Sequence, residues 1–272
     1  METIKKGTQK KSATILLQES LCKAGYDLSS DGIFGYGTDR AVRDFQKKNK
    51  LVADGVVGQK SWMKFVVLFP EHFAQLTKKF LSQADINKVA KDLEVEPAAV
   101  NAVREVEAGG TGFQGERPKI LFEGHVFYRQ LKKHGIDPAK HLAGNEDILY
   151  PKWNESTRKY YKADQYARLK KARKIHAAAA MESASWGLFQ VMGYHWQALG
   201  YKSARKFVKK MRKNEGEHLK AFAAYLKAND LVKHLQDLNW AKFAEGYNGS
   251  GYKENHYDTK MASAYKRYSA IG

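Results

Sequence analysis

The sequence predicts a mainly α protein in two parts: a small bundle of three helices, then a larger and mostly helical domain. Three observations predict it. Apolar residues recur at helical spacing along most of the 272 residues. Strand-like alternation is nearly absent. Two short stretches, DGIFG at residues 31–35 and DGVVG at 54–58, punctuate the first part alone. Each Asp-Gly supplies a turn, and the second Gly permits a tight backbone path.

The elements follow in order. Leu17, Leu21 and Ala24 fall at i, i+4 and i+7, one face of a first helix. Thr38 is the expected cap of a second helix, whose apolar stripe is Ala41, Val42 and Phe45. QKSWMKF, from Gln59, reads as a third. The bundle is expected to end at residue 68, with residues 69–84 a linker of helical character. The second domain then spans residues 85–272. Asp85 is the expected cap of its first helix, with Ile86, Val89, Ala90 and Leu93 on one face. Pro97 suits the first turn of the next helix, and Gly109-Gly110 suits its end. Further helices are expected over 160–174, 204–211, 217–228, 231–243 and 258–268. KILFEGHVFY, from Lys119, is the one β-branched and aromatic stretch.

Composition narrows the function. Hydrophobic content of 43% is enough for a core. No apolar run approaches the ~20 residues of a membrane span. No basic start followed by an apolar stretch opens the chain, so no secretory signal is expected. The single cysteine, Cys22, excludes an intramolecular disulfide and a cysteine-based zinc site. Lys plus Arg is 47 against 29 Asp plus Glu, a net charge of +18. Residues 152–176 hold nine basic residues against two acids, and residues 202–220 hold eight against two. Such an excess attracts nucleic acid, anionic lipid or acidic wall polymer. Any single lysine among them reads equally well as part of a solvated helix face.

One helix carries a candidate for chemistry. Val100, Val103 and Glu107 fall at i, i+3 and i+7. Glu107 therefore lies on or beside the apolar face. Glu105 points about 200° around the axis and looks solvated. A carboxyl on a packed face loses hydration, which raises its pKa. The helix C-terminus also opposes ionisation. Both effects favour the protonated acid that a glycosidase needs. Glu116 and Glu123 are candidates for a second carboxylate that guides water. Glu116, in a glycine-rich loop, is preferred, and Glu123 reads better as a structural hydrogen bond or ion pair. No His-Glu-x-x-His, Gly-x-Ser-x-Gly or phosphate-loop pattern occurs. No metal or cofactor is expected.

Two resemblances sharpen these readings. LLQESL, DGIFGYGTDRAVRDFQKKNKL and DGVVGQKSW, over residues 10–67, resemble the peptidoglycan-binding domain family. Ser61 stands where that family usually has Thr. VEAGG at 106–110, SWGLFQVMG at 185–193 and FAEGYNGSGY at 243–252 come in the order of three landmarks of the lysozyme-like superfamily. RPKILFEGHVFY at 117–128 makes residues 85–270 similar to the phage N-acetylmuramidase domain. Ala108 stands where that family usually has Ser. Together the two parts resemble a modular phage endolysin.

The resemblance implies a lysozyme-like catalytic domain with Glu107 as general acid. It implies that Gln190, Tyr247 and Asn248 line a glycan cleft. Trp186 would pack beneath Gln190 or stack on a sugar. The bond cut would be the β-1,4 bond between N-acetylmuramic acid and N-acetylglucosamine. The expected partners are bacterial peptidoglycan and anionic envelope components, with no specific nucleic acid and a monomeric chain. Synthesis in a host cytoplasm would leave a separate membrane-permeabilising protein to release it to the wall. The alternatives are a lytic transglycosylase giving anhydro products, a basic nucleic-acid-binding protein, and a wall-binding protein without activity.

Overall fold

Two glutamines, Gln18 and Gln46, organise the first part of the chain. Gln18 Nε2 donates to Asp31 Oδ1 (2.8 Å), the Ile33 carbonyl (3.2 Å) and Thr38 Oγ1 (3.3 Å), and its Oε1 accepts the Gly32 amide (2.9 Å). Gln46 repeats the pattern. Its Nε2 donates to Asp54 Oδ1 (3.1 Å), the Val56 carbonyl (3.0 Å) and Ser61 Oγ (3.2 Å), and its Oε1 accepts the Gly55 amide (3.0 Å). Thr38 and Ser61 are thus equivalent, and the serine fills the threonine's place. Gly32 and Gly55 sit at φ +78° and +73°, the left-handed region that glycine enters freely.

In this computed structural model, residues 1, 3–108 and 110–270 are described. They fall into two units, Met1–Thr77 and Lys78–Gly272. The first holds α1 (Lys11–Lys23), α2 (Tyr36–Lys48) and α3 (Gln59–Leu68). Leu17, Leu21, Val42, Phe45, Trp62 and Phe65 fill its core. The rings of Phe45 and Phe65 stack at 3.9 Å. Thr38 does not cap α2. Gly35 is the N-cap residue and lends no side chain, while the Thr38 hydroxyl is taken by Gln18. A fourth helix, α4 (Pro70–Thr77), adds Phe73 to the same core, edge-on to Trp62. The stretch expected as a linker therefore begins as part of the first unit.

The second unit opens with α5 (Gln83–Leu93) and α6 (Pro97–Glu107). Ser82, not Asp85, is the N-cap of α5. Asp85 sits three residues on and closes a capping box with it. Ile86, Val89, Ala90 and Leu93 are buried as the spacing requires. Pro97 begins α6, and Ala108 caps its end. Gly110 follows at φ +88°, and Gly109 lies outside the described residues. A short antiparallel pair comes next, β1 (Phe113–Gln114) and β2 (Arg117–Pro118). A three-stranded antiparallel sheet joins β3 (Ile120–Phe122), β4 (Ala184–Trp186) and β5 (Val191–Met192) in that order.

The aromatic stretch from Lys119 is thus strand only at its start. It turns into α7 (Gly124–Lys133). The helix expected over 160–174 is a 3-10 segment, Glu155–Lys162, followed by α8 (Gln165–Ile175), which Asp164 caps. Then come α9 (Ala177–Glu182), α10 (Ala204–Met211) and α11 (Glu215–Ala228). The single helix expected over 231–243 is two, α12 (Val232–Gln236) and α13 (Trp240–Asn248). Leu238 breaks them apart at φ +51°. The last helix, α14 (Tyr257–Ser269), packs along α6. Phe122, Phe127, Trp186, Phe207 and Phe243 lie in the core between these elements.

Candidate active site

The phase of α6 decides where its two carboxyls go. Val100 and Val103 enter the core, and Glu107 follows them to its edge. Glu105 faces the other way. Its carboxylate is exposed, pairs with Arg267 and accepts the Tyr268 hydroxyl at 2.9 Å. Both partners belong to α14, so Glu105 fastens two helices together.

Glu107 meets the far end of the chain. Asn248, the last residue of α13, donates from Nδ2 to Glu107 Oε1 at 2.8 Å. Burial pushes the Glu107 pKa up, and the Asn248 hydrogen bond pulls it partly back. Burial is the larger effect, so the carboxyl holds its proton to a higher pH than an ordinary glutamate. With Oε1 occupied as an acceptor, Oε2 is the oxygen free to carry that proton.

Tyr247 is the neighbouring residue on α13. Its ring stacks on Phe243 and meets Phe222 and Tyr225 edge-on. Its hydroxyl donates to the Phe189 carbonyl at 3.3 Å. Burial, with Glu107 nearby, holds that hydroxyl protonated far beyond the usual tyrosine range. Tyr247 therefore ties the helix that carries Asn248 to the turn between β4 and β5.

That turn, residues 187–190, is held from several sides. The Leu188 amide donates to His218 Nδ1 at 3.1 Å, and His218 Nε2 donates to the Met211 carbonyl at 2.6 Å. Burial lowers the His218 pKa, so the ring is the neutral Nε2–H tautomer this pattern needs. Gly187 sits at φ +75°, and a Cβ there would lie 2.7 Å from the His218 ring. Gly112 approaches the same ring, with a Cβ position 2.6 Å from Nδ1. The Trp-Gly step exists because only glycine fits beside this histidine.

Gln190 closes the turn at φ +49°. It is exposed, yet its amide reaches back. Nε2 donates to the Gly187 carbonyl (2.7 Å) and the Lys119 carbonyl (3.4 Å), and Oε1 accepts the Ser185 hydroxyl (2.8 Å). Trp186 is only 1% exposed, and its Nε1 donates to the Met181 carbonyl at 3.1 Å. Stacking on a sugar is closed to it, because its ring faces the core. Packing under the turn is the role its burial allows.

Neither candidate for a second carboxylate meets Glu107. The Glu116 side chain is 92% exposed and pairs with Lys79 at 2.9 Å. It does not lie over Glu107 through any hydrogen bond or ion pair among the described residues. Glu123 accepts the Tyr161 hydroxyl at 2.6 Å and faces His125 at 3.5 Å, the structural role its apolar flanks suggest.

Two residues of α11 escape sequence reasoning. Glu215 is buried, and its oxygens accept the Gly112 amide (2.6 Å) and the Leu81 amide (2.9 Å). It fixes the loop that follows Glu107. His218 fixes the turn. A signal for both was present, since Glu215, His218 and Phe222 share one face at i, i+3 and i+7. The charge around them hid it.

Residues 96–269 match the N-acetylmuramidase family, and residues 10–64 match the peptidoglycan binding domain family. The chain is also similar to a solved structure described as the crystal structure of Burkholderia AP3 phage endolysin. The two are 39% identical over 99% of this chain and 100% of that one, with a TM-score of 0.70. These matches place the chain in the N-acetylmuramidase family, as a peptidoglycan-degrading glycoside hydrolase.

Proposed function

We propose that Glu107 is the general acid of this muramidase. Its Oε2 proton passes to the glycosidic oxygen as the bond between N-acetylmuramic acid and N-acetylglucosamine breaks. The positive charge then developing on the sugar is of the oxocarbenium type. The observation that carries this is the half-buried Glu107 carboxyl, raised in pKa by desolvation and oriented by Asn248. Tyr247 and Gln190 support it by holding α13 and the 187–190 turn in register. The remaining exposed edge of Gln190 offers an amide to sugar hydroxyls and N-acetyl groups.

Glu116 and Glu123 are spoken for by Lys79 and Tyr161. The reading supported best is therefore one half-buried acid, with attacking water positioned by groups other than these two. A single acid also serves attack by the muramic C6 hydroxyl, which gives anhydro ends. Product mass separates the two outcomes, because an anhydro end lacks one water.

The first unit, with its paired Asp-Gly loops, is the wall-binding module, and residues from 78 onward carry catalysis. The basic helices draw the protein to anionic envelope components. The chain works as a monomer, and a separate membrane-permeabilising protein admits it to the wall. No helix among the described residues is long and apolar enough to cross a membrane.

The pH profile tests the acid. Asn248 lowers the Glu107 pKa, so removing it must raise that pKa. Asn248→Leu should move the alkaline limb of the kcat profile to higher pH. A limb that stays in place, or moves down, contradicts the assignment.

A further inference from the structure

The strongest unassigned feature is a basic trough along α8 and α10. Three grooves share walls there, of about 650, 620 and 790 Å³. Arg173, Leu169 and Arg212 line both of the first two. Lys206, Lys209 and Arg212 line both the first and the third. They form one continuous channel from Arg117 to Tyr201.

Lys210 pairs with Glu217 at 3.3 Å, and the rest of the basic wall is unneutralised among the described residues. Lys170, Arg173, Arg205, Lys206, Lys209 and Arg212 are exposed, and none has a carboxylate partner among the described residues. The two acids at the rim are engaged elsewhere. Glu116 pairs with Lys79, and Asp164 accepts the amides of Tyr166 and Ala167. The floor is apolar, with Leu169, Met181 and Val208. Arg117 lies over the Tyr166 ring at 5.1 Å, and Arg117 and Arg212 both act electrostatically on that hydroxyl. Guanidinium groups from separate elements thus converge at one end.

That end adjoins the active site through the chain itself. Arg117 and Pro118 lead into Lys119, whose carbonyl accepts the Gly187 amide at 2.8 Å and Gln190 Nε2 at 3.4 Å. A flat bilayer meets only the rims of a concave channel. A flexible chain with carboxylates and small apolar side chains meets both walls and floor. Planar guanidinium forks match carboxylates.

We propose that the α8–α10 trough is an accessory subsite for the carboxylate-bearing peptide stems of peptidoglycan. It rests on the muramidase reading, and it makes the enzyme select glycan that still carries its peptides. The trough has no part in the chemical step.

The test uses the full chain with Arg173→Glu and Arg212→Glu together. The control is Lys88→Glu with Lys140→Glu, two exposed lysines of the same unit that change net charge equally. Each protein is assayed on intact peptidoglycan and on glycan strands stripped of stems by an amidase. Binding to phosphatidylglycerol vesicles is measured beside them. On intact wall the trough variant should lose roughly tenfold in kcat/KM, from two reversed surface contacts. On stripped glycan it should stay within about twofold of wild type, as should the control on both. Equal loss on both substrates, equal loss in the control, or no loss on intact wall overturns the proposal. So does lost vesicle binding with wall turnover unchanged, which would make the trough a lipid site. If wild type releases no new sugar ends from either substrate, the muramidase reading itself fails instead.

Discussion

Gly187 shows how one residue sets the site. Its left-handed backbone and the His218 ring beside it leave no room for a Cβ. Gly187→Ala combines steric overlap with strain at positive φ. It should cost about 2–4 kcal/mol of stability. Chemical denaturation measures it, and a loss within about 0.5 kcal/mol, the scatter of an ordinary surface change, would contradict the packing. Gln190 and Trp186 teach a related lesson. The sequence shows a lone polar residue between Phe189 and Val191, and a tryptophan before a glycine. It does not show that Gln190 spends its amide on Gly187, Lys119 and Ser185, or that Trp186 faces Met181. Those partners are set by strand pairing, which no local pattern encodes.

Among the elements, those with a sustained apolar period were legible. The phase of α6 separates Glu107 from Glu105 because Val100 and Val103 fix which side is inside. Of the strands, only β3 fell in a stretch the sequence marked, since two or three residues are too few to display an alternation. The break between α12 and α13 was hidden for a different reason. Leu231, Leu235 and Phe243 are all buried, so the apolar pattern runs on while Leu238 turns the backbone left-handed. Capping was misplaced at both Thr38 and Asp85, because a good capping residue three positions inside a helix looks the same as one at its start. The α5 capping box makes a direct claim. Ser82→Ala removes the hydroxyl that accepts the Asp85 amide and should cost about 1 kcal/mol. Asp85→Ala leaves that hydroxyl in place and should cost less. The reverse order in thermal melts would show that Asp85 is the true cap.

Across the whole molecule, the two units should respond differently to acid. Burial holds His125, His176, His195 and His218 below the ordinary histidine range, and all four lie in the second unit. Such a group stays neutral in the fold and protonates when unfolded. Its stability contribution is present above the unfolded pKa of ~6.5 and is lost as pH falls below it. Glu107, raised by burial, works in the opposite direction, but it is one group against four. In the first unit the lowered groups are Asp31, Asp44 and Asp54, held down chiefly by hydrogen bonds. Their contribution is kept until pH falls below ~4. Calorimetry of the full chain between pH 7 and 5 should show the second unit's transition moving to lower temperature while the first holds. Equal movement of both would contradict this.

The central claim is that Glu107, and not Glu105, gives up the proton that breaks the glycan. It is tested most directly by the rate at which Glu107→Gln and Glu105→Gln release sugar ends from purified peptidoglycan, read by mass spectrometry. Gln keeps the shape and the Asn248 hydrogen bond but carries no transferable proton. General acid catalysis contributes ~10²–10⁴ in rate, so Glu107→Gln should fall by at least that order while still sedimenting with wall. Glu105→Gln loses only an exposed tie to α14 and should keep most of its activity. A Glu107→Gln enzyme that turns over wall near the wild-type rate would contradict the account, most plainly if Glu105→Gln were dead.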